Sequence, residues 1–309
     1  MAPGRIRVGI GGWDYAPWRE TFYPATVAQK RQLEYASRHV TSIEVNGTFY
    51  RLQTPDTFAK WRDETPDDFV FSLKASRFIM NRRELATAGE AMEKFLKSGL
   101  VQLGPKLGPI LWQLTPFAQF NAGDLEGFLK LLPRELSGLP LRHVLEVRHK
   151  SFEQEASIDL IRRYNVATVL ADTSKYPSFA DATGDFIYAR LMSAESSRPE
   201  GYERKVLARW AERGALWADG KEPEDLPKIA KTPAAAKPRD VFLYVINGAK
   251  ERAPAAAMKI LEHLGFEAPA ESAAPAADEP EAAPKQAASA SKKKAAVKRA
   301  SKKATQKKS

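Results

Sequence analysis

Eight short apolar runs recur along this chain, and most are followed by a stretch with helical periodicity. The runs are Arg5 to Gly11, Ser42 to Val45, Phe69 to Leu73, Gly108 to Leu114, Val144 to Val147, Val166 to Ala171, Asp185 to Leu191 and Val241 to Ile246. Helical spacing of apolar residues marks Ala28 to His39, Pro55 to Glu64, Arg83 to Leu100, Ala122 to Leu132, Phe152 to Tyr164, Gly201 to Ala215 and Ala253 to Leu264. A strand covered on both faces reads as a near-continuous apolar run, and parallel strands need a helical crossover between them. Strict alternation therefore predicts an α/β protein with a parallel sheet. Eight units within about 260 residues fit a TIM-like (β/α)8 barrel best, with a doubly wound open sheet as the alternative. No internal repeat beyond this rhythm is present.

Two segments break the rhythm. Residues 218–238 (ADGKEPEDLPKIAKTPAAAKP) are polar and rich in Pro, Ala and Lys, which predicts a flexible insertion before the eighth strand. From residue 268 the sequence turns to Ala, Pro and Glu, then to Ala, Ser and Lys, without apolar periodicity. The expected organisation is one barrel domain over 1–267 and a disordered basic tail over 268–309.

Composition narrows the chemistry. The chain has no cysteine, so disulfides, thiolate metal sites and a thiol nucleophile are excluded. The net charge is +10, but residues 271–309 hold ten Lys/Arg against four Asp/Glu, so the remainder carries a surplus of only four. The barrel itself is only mildly basic. No run reaches the roughly 20 apolar residues of a membrane span, and the first residues lack an apolar signal region; a cytoplasmic protein is expected.

In a barrel every strand's carboxyl end faces one mouth, so residues far apart in sequence should converge there. The fifth run is the richest: Glu146, Arg148 and His149 close it, and alternation puts Glu146 and Arg148 on one face. Ser151, just beyond, has the character of a helix N-cap. Trp13 and Tyr15 follow the first strand; Glu44, Asn46 and Tyr50 the second; Lys74 and Arg77 the third; Gln113 the fourth. Asp172, Arg190 and Asn247 end the sixth, seventh and eighth. Lys74, Arg148 and Arg190 suit an anion clamp. Glu146 and Glu44 suit proton transfer, one with a raised pKa and one ionised. Asn46, Gln113 and Asn247 suit orienting hydroxyls, and Trp13, Tyr15 and Tyr50 an aromatic wall.

Blander roles stand beside these. Glu44 with Lys74 would make an internal salt bridge between neighbouring strands. Tyr188 and Trp112 suit the core. His149 points away from Glu146 and would cap or pack as readily as react. His39, His143 and His263 read as surface or helix-end residues. No HxH or HExxH spacing, nucleophile elbow or phosphate loop occurs, and no motif for a nucleotide or flavin cofactor. No metal site is assigned, although magnesium or manganese through Glu44, Glu146 and Asp172 stays open.

Six words of sequence in order resemble the domain of unknown function 72, or YecE-like, family of bacteria and archaea. They are Gly12-Trp13-Asp14-Tyr15 with Trp18 and Phe22-Tyr23-Pro24; Glu44 to Arg51; Phe69 to Ala75 with Arg77; Gly108 to Leu114; Glu146 to His149 with Ser151-Phe152; and Tyr188 to Leu191. The resemblance implies a TIM-barrel-like fold and no particular activity. Three positions depart from it. Met80-Asn81 stand where relatives usually carry Thr-His, Met192-Ser193 where they carry His-Gly, and Ile246-Asn247 where they end in two asparagines. If the missing histidines bind metal or carry protons in relatives, this chain has lost or altered that chemistry.

The tail is a separate matter. Lys292, Lys293, Lys294, Lys298, Arg299, Lys302 and Lys303 form its basic core, with no acid after Lys285 and no aromatic interleaved. Such a segment suits DNA or RNA phosphates without reading bases, or simply solubilises. Two functions therefore stand open: an enzyme, or relic of one, acting on a small anionic or hydroxyl-rich ligand, and a nucleic-acid-associated protein whose tail does the docking.

Overall fold

The computed structural model describes residues 2–19 and 21–266. Eight parallel strands close into a barrel: β1 (Ile6–Gly11), β2 (Ser42–Val45), β3 (Val70–Lys74), β4 (Leu107–Gln113), β5 (His143–Glu146), β6 (Ala167–Asp172), β7 (Phe186–Leu191) and β8 (Asp240–Val245). Each pairs with the next in sequence, and β1 with β8 closes the ring. The open-sheet alternative is thereby set aside: the eight-stranded sheet is closed and has no unpaired edge.

Pleating explains the apolar runs. Outward residues such as Ile10, Ile43, Leu73, Trp112, Leu145, Leu191 and Leu243 pack against helices, while Leu111, Val144, Val169, Tyr188, Phe242 and Tyr244 form a second cluster inside the barrel. Each large side chain so buried contributes about 1.5–3 kcal/mol. The helices are α1 (Gln32–His39), α2 (Gly47–Tyr50), α3 (Pro55–Asp63), α4 (Arg77–Met80), α5 (Gly89–Leu96), α6 (Ala122–Leu131), α7 (Glu155–Arg163), α8 (Arg204–Ala218) and α9 (Ala253–His263). On α8 the buried set Leu207, Trp210, Ala211, Gly214 and Trp217 follows the 3.6-residue repeat.

Several expectations need correction. The helix predicted from Arg83 to Leu100 is shorter, because Gly99, at φ 107°, cannot continue it and Leu85–Thr87 forms a separate 3-10 turn. Ser151 does not cap a helix: it lies in the 3-10 turn Lys150–Phe152, and α7 starts at Glu155. No helix crosses from β6 to β7. The region is served by the irregular segment that follows α8. Ala180 N–H donates to Pro227 O at 2.8 Å, and the Asp181 carboxylate accepts from the backbones of Ile229 and Ala230 at 2.8 and 2.9 Å. Arg162 adds a bond to Thr232 O. The 218–238 stretch lacks strands and, past Ala218, helix, as its composition predicts, but those bonds tie it to the barrel. The tail residues fall outside the described part of the chain.

His143 is not a surface residue. It starts β5 with 5% exposure; Trp112 Nε1 donates to its Nδ1 at 3.1 Å, so Nε2 carries the proton to Pro133 O at 2.7 Å. Burial, opposed only in part by that backbone contact, pushes its pKa down to about 4. A histidine buried neutral stabilises the fold above the pKa of about 6.5 that it has unfolded, and this stability drains as pH falls toward the folded value. Between about pH 8 and pH 5 the wild type should lose about 2 kcal/mol more than His143→Gln, whose amide keeps both contacts without titrating. Urea midpoints at the two pH values measure this; equal losses would show that His143 takes up its proton in the folded state.

Candidate active site at the barrel mouth

The inward pleat stacks in layers. In the middle layer the Tyr244 hydroxyl meets Ser42 Oγ and Ser72 Oγ, both at 2.6 Å. Gly9 makes room there, since a Cβ on it would stand 2.0 Å from the Ser42 backbone oxygen and 3.1 Å from the Tyr244 ring. One pleat higher, at the carboxyl ends, β2, β3, β4, β5 and β7 present Glu44, Lys74, Gln113, Glu146 and Arg190, all buried. The barrel brings these five together, and Arg148, just past β5, joins them.

Arg190 is the hub. Its Nη2 and Nε donate to the two oxygens of Glu44 at 2.9 and 3.1 Å, and its Nη1 donates to Glu146 at 2.5 Å. Glu44 also accepts from the Tyr188 hydroxyl at 2.8 Å and from the Asn46 amide at 3.3 Å. Glu146 also accepts from Gln113 at 2.7 Å and from Arg148 at 2.8 Å. Both carboxylates have essentially no exposure, and isolated charges there would cost several kcal/mol each. Instead every carboxylate oxygen has at least two donors or a bidentate one. Burial pushes the Glu146 carboxyl up, but Arg190 and Arg148 outweigh it and hold it below the usual range. For Arg190 burial disfavours the charge, yet Glu146 and Glu44 keep it firmly protonated.

This arrangement corrects the expected division of labour. Glu146, ionised and saturated with donors, offers no proton, and Glu44 is spent on Arg190 and Tyr188. The Glu44–Lys74 salt bridge does not form, because Arg190 takes both Glu44 oxygens. Lys74 Nζ instead lies 4.4 Å from the centre of the Phe49 ring, and no acceptor among the described residues hydrogen-bonds it. Its backbone carbonyl is fixed by Thr48 Oγ1 at 2.7 Å. Burial drives the Lys74 pKa down; Glu44 and Glu146 only partly restore it against Arg190 and Arg148, leaving it at about 8.

The other expected residues are placed elsewhere. His149 caps the 3-10 turn: its Nδ1 accepts from Ser151 N and meets Ser151 Oγ at 2.8 Å. Asp172 points outward on β6 and accepts from Tyr202 at 3.3 Å, so it does not join Glu44 and Glu146. Burial raises its pKa, with Tyr202 opposing. No group of three His, Asp or Glu suited to a metal ion occurs among the described residues. Arg77 is exposed beside Phe78, Tyr50 is 63% exposed, and Asn247 is exposed at the rim. Trp13 packs edge-on against Trp61 at 5.2 Å and Tyr15 against Trp18 at 5.4 Å. Trp13, Asn46, Arg51, Trp61 and Lys250 border a cleft of about 430 Å³, and Asn46 links that cleft to Glu44.

Tyr188, read as core, is both core and site. Its position two residues before Arg190 was the available signal, since i and i+2 share a face of a strand. Tyr176, whose ring lies 4.4 Å from the Arg148 guanidinium, sits in an irregular loop and left none.

A family model described as "Protein of unknown function DUF72" matches residues 7–282, most of the chain. The chain belongs to the DUF72 family. Over 150 residues it is 29% identical to the UPF0759 protein YecE of Escherichia coli K12, and over 152 residues 25% identical to the UPF0759 protein YunF of Bacillus subtilis. Each match takes in 48% of this chain and 50% or 52% of the relative, so the chain spans about half the length of the curated relatives it matches. Solved DUF72 structures share the fold. The Thermotoga maritima protein superposes with a TM-score of 0.65 at 19% identity, covering 85% of this chain and 100% of its own. The Enterococcus faecalis protein gives 0.60 at 14% identity, covering 86% and 100%. In this DUF72 chain Met80 and Ile246 are buried, and Met192 packs against the interior cluster. Among the described residues no helix is long and apolar enough to cross a membrane.

Proposed function

We propose that the barrel mouth binds a small anionic ligand, a carboxylate or a phosphate, through Lys74 and Arg148. One observation carries this reading. Three cations and two carboxylates share the cluster, and Arg190 and Arg148 account for the carboxylates, so the Lys74 charge is uncompensated. A charge on so largely desolvated a side chain costs stability, and an arriving anion removes part of that cost. Arg148 is placed to assist: it engages one Glu146 oxygen, has 14% exposure and keeps further donors for a ligand. Glu44 and Glu146 serve to hold the two guanidinium groups in place.

A thermal-shift titration with phosphate and with small carboxylates tests the reading. A ligand at 100 times its Kd should stabilise the wild type by about 2.7 kcal/mol. Arg148→Ala should keep the fold, since Glu146 retains Arg190 and Gln113, yet weaken binding roughly 10- to 100-fold, the worth of a charged hydrogen bond. Unaltered affinity in that variant would remove Arg148 from the site, and no shift with any anion would remove the reading.

A further inference from the structure

We infer that Lys74 is a nucleophilic amine which condenses with the carbonyl group of an anionic substrate to form a Schiff base. The inference rests on the anion-binding reading above and names the substrate class: a carbonyl compound that also bears a carboxylate or a phosphate.

Three features of the geometry support it. Lys74 is buried, with 9% exposure, at the carboxyl end of β3, where the barrel opens. Its Nζ lies 4.4 Å from the centre of the Phe49 ring and makes no hydrogen bond to a described residue, so no neighbouring donor occupies its lone pair once a proton leaves. The nearby carboxylates are already engaged by Arg190 and Arg148, so neither is free to lock the amine as an ammonium. A lysine paired with a carboxylate is a poor nucleophile, and one desolvated beside other cations is a good one. All the charged groups facing Nζ act in this sense or are neutralised: Arg190 and Arg148 disfavour its proton, while Glu44 and Glu146 favour it less strongly than burial opposes it, and the free amine becomes accessible near neutral pH.

The step balances within the site. The ammonium releases one proton, and the neutral nitrogen attacks the carbonyl carbon, forming the C–N bond as the π pair moves to oxygen. The oxygen takes up a proton to give a carbinolamine. The nitrogen then sheds a second proton, the hydroxyl takes it up, and the oxygen leaves as water as the nitrogen pair closes the C=N bond. Overall an ammonium and a carbonyl become a protonated imine and one water. The positive charge is conserved, so the balance with Glu44 and Glu146 is undisturbed. The imine then serves as an electron sink for breaking a bond at the adjacent carbon, while Arg148 holds the substrate's anionic group.

Reductive trapping tests this on the full chain. The protein is incubated with cyanoborohydride and either pyruvate or dihydroxyacetone phosphate at about pH 7.5, and adducts are mapped by peptide mass spectrometry. Lys74 should be modified roughly tenfold faster or more than exposed Lys60 and Lys94, because a far larger fraction of it is unprotonated. The arm that labels faster tells a carboxylate substrate from a phosphorylated one. Lys74→Arg should abolish the adduct, and the phosphate thermal shift of the unaltered protein is measured beside it. Labelling of Lys74 no faster than of Lys60 and Lys94 overturns the Schiff base. In that case a surviving phosphate shift leaves the binding reading intact, and its absence removes that too.

Discussion

Replacing Arg190 with methionine is expected to destabilise the protein by about 3–5 kcal/mol at neutral pH, the largest effect of any single substitution at the mouth. The variant leaves Glu44 and Glu146 buried in one cluster without the cation that spans them. Arg148 and Gln113 still serve Glu146, but Glu44 keeps only Tyr188 and Asn46. The pH dependence should change sign. In the wild type the Glu146 carboxyl is held low, so its contribution is complete above the unfolded pKa of about 4.5 and is lost as pH falls through the lower folded value. In the variant, burial and the neighbouring carboxylate raise a folded carboxyl pKa, so stability is recovered as pH falls from about 7 to about 5. Arg190→Lys restores the charge without the fork and should fall between the two. Urea denaturation at both pH values measures all three proteins. A loss under about 1 kcal/mol in Arg190→Met would mean that the carboxylates find other partners.

Lys74→Met should do the opposite and stabilise the protein. The folded pKa of about 8 lies below the unfolded value near 10.4, so the charged form is strained in the fold. The strain is fully present at neutral pH and is relieved as pH rises from about 8 to about 10.5. Methionine fills a similar volume against Phe49 without a charge, and the remaining two cations and two carboxylates balance. The expected gain at about pH 7 is roughly 1–3 kcal/mol, shrinking toward nothing near pH 10.5, together with loss of anion binding. Stability that rises while binding disappears is what distinguishes a group kept for function from one kept for the fold. A destabilised variant that still binds anions would show that the Lys74 charge has a structural partner.

Much of this molecule was legible in one dimension. Barrel topology follows from eight apolar runs separated by amphipathic stretches, because burial on both faces and a helical crossover each leave a periodic trace. The strand-end rule also named Glu44, Lys74, Gln113, Glu146, Arg148 and Arg190 as neighbours, since pleat parity and strand polarity together assign each to one layer. Beyond the last paired position the rule held only in part: Arg148 and Asn46 still reach the carboxylates. Tyr50 and Arg77 lie on the short helices α2 and α4 and Asn247 on a bend, all exposed, and Asp172 is one residue out of phase with the inward pleat.

What the sequence could not contain was the pairing. Glu44 could have faced Lys74 from the adjacent strand. It faces Arg190 instead, because a guanidinium reaching across the barrel satisfies two carboxylates at once and an ammonium on the neighbouring strand satisfies one. That choice leaves Lys74 uncompensated and moves the reactive group from a carboxylate to an amine. Hydrophobic periodicity determines which residues meet at the mouth, since it acts along the chain through burial. Only the closed barrel decides which charges neutralise each other, since that depends on distances between strands far apart in sequence.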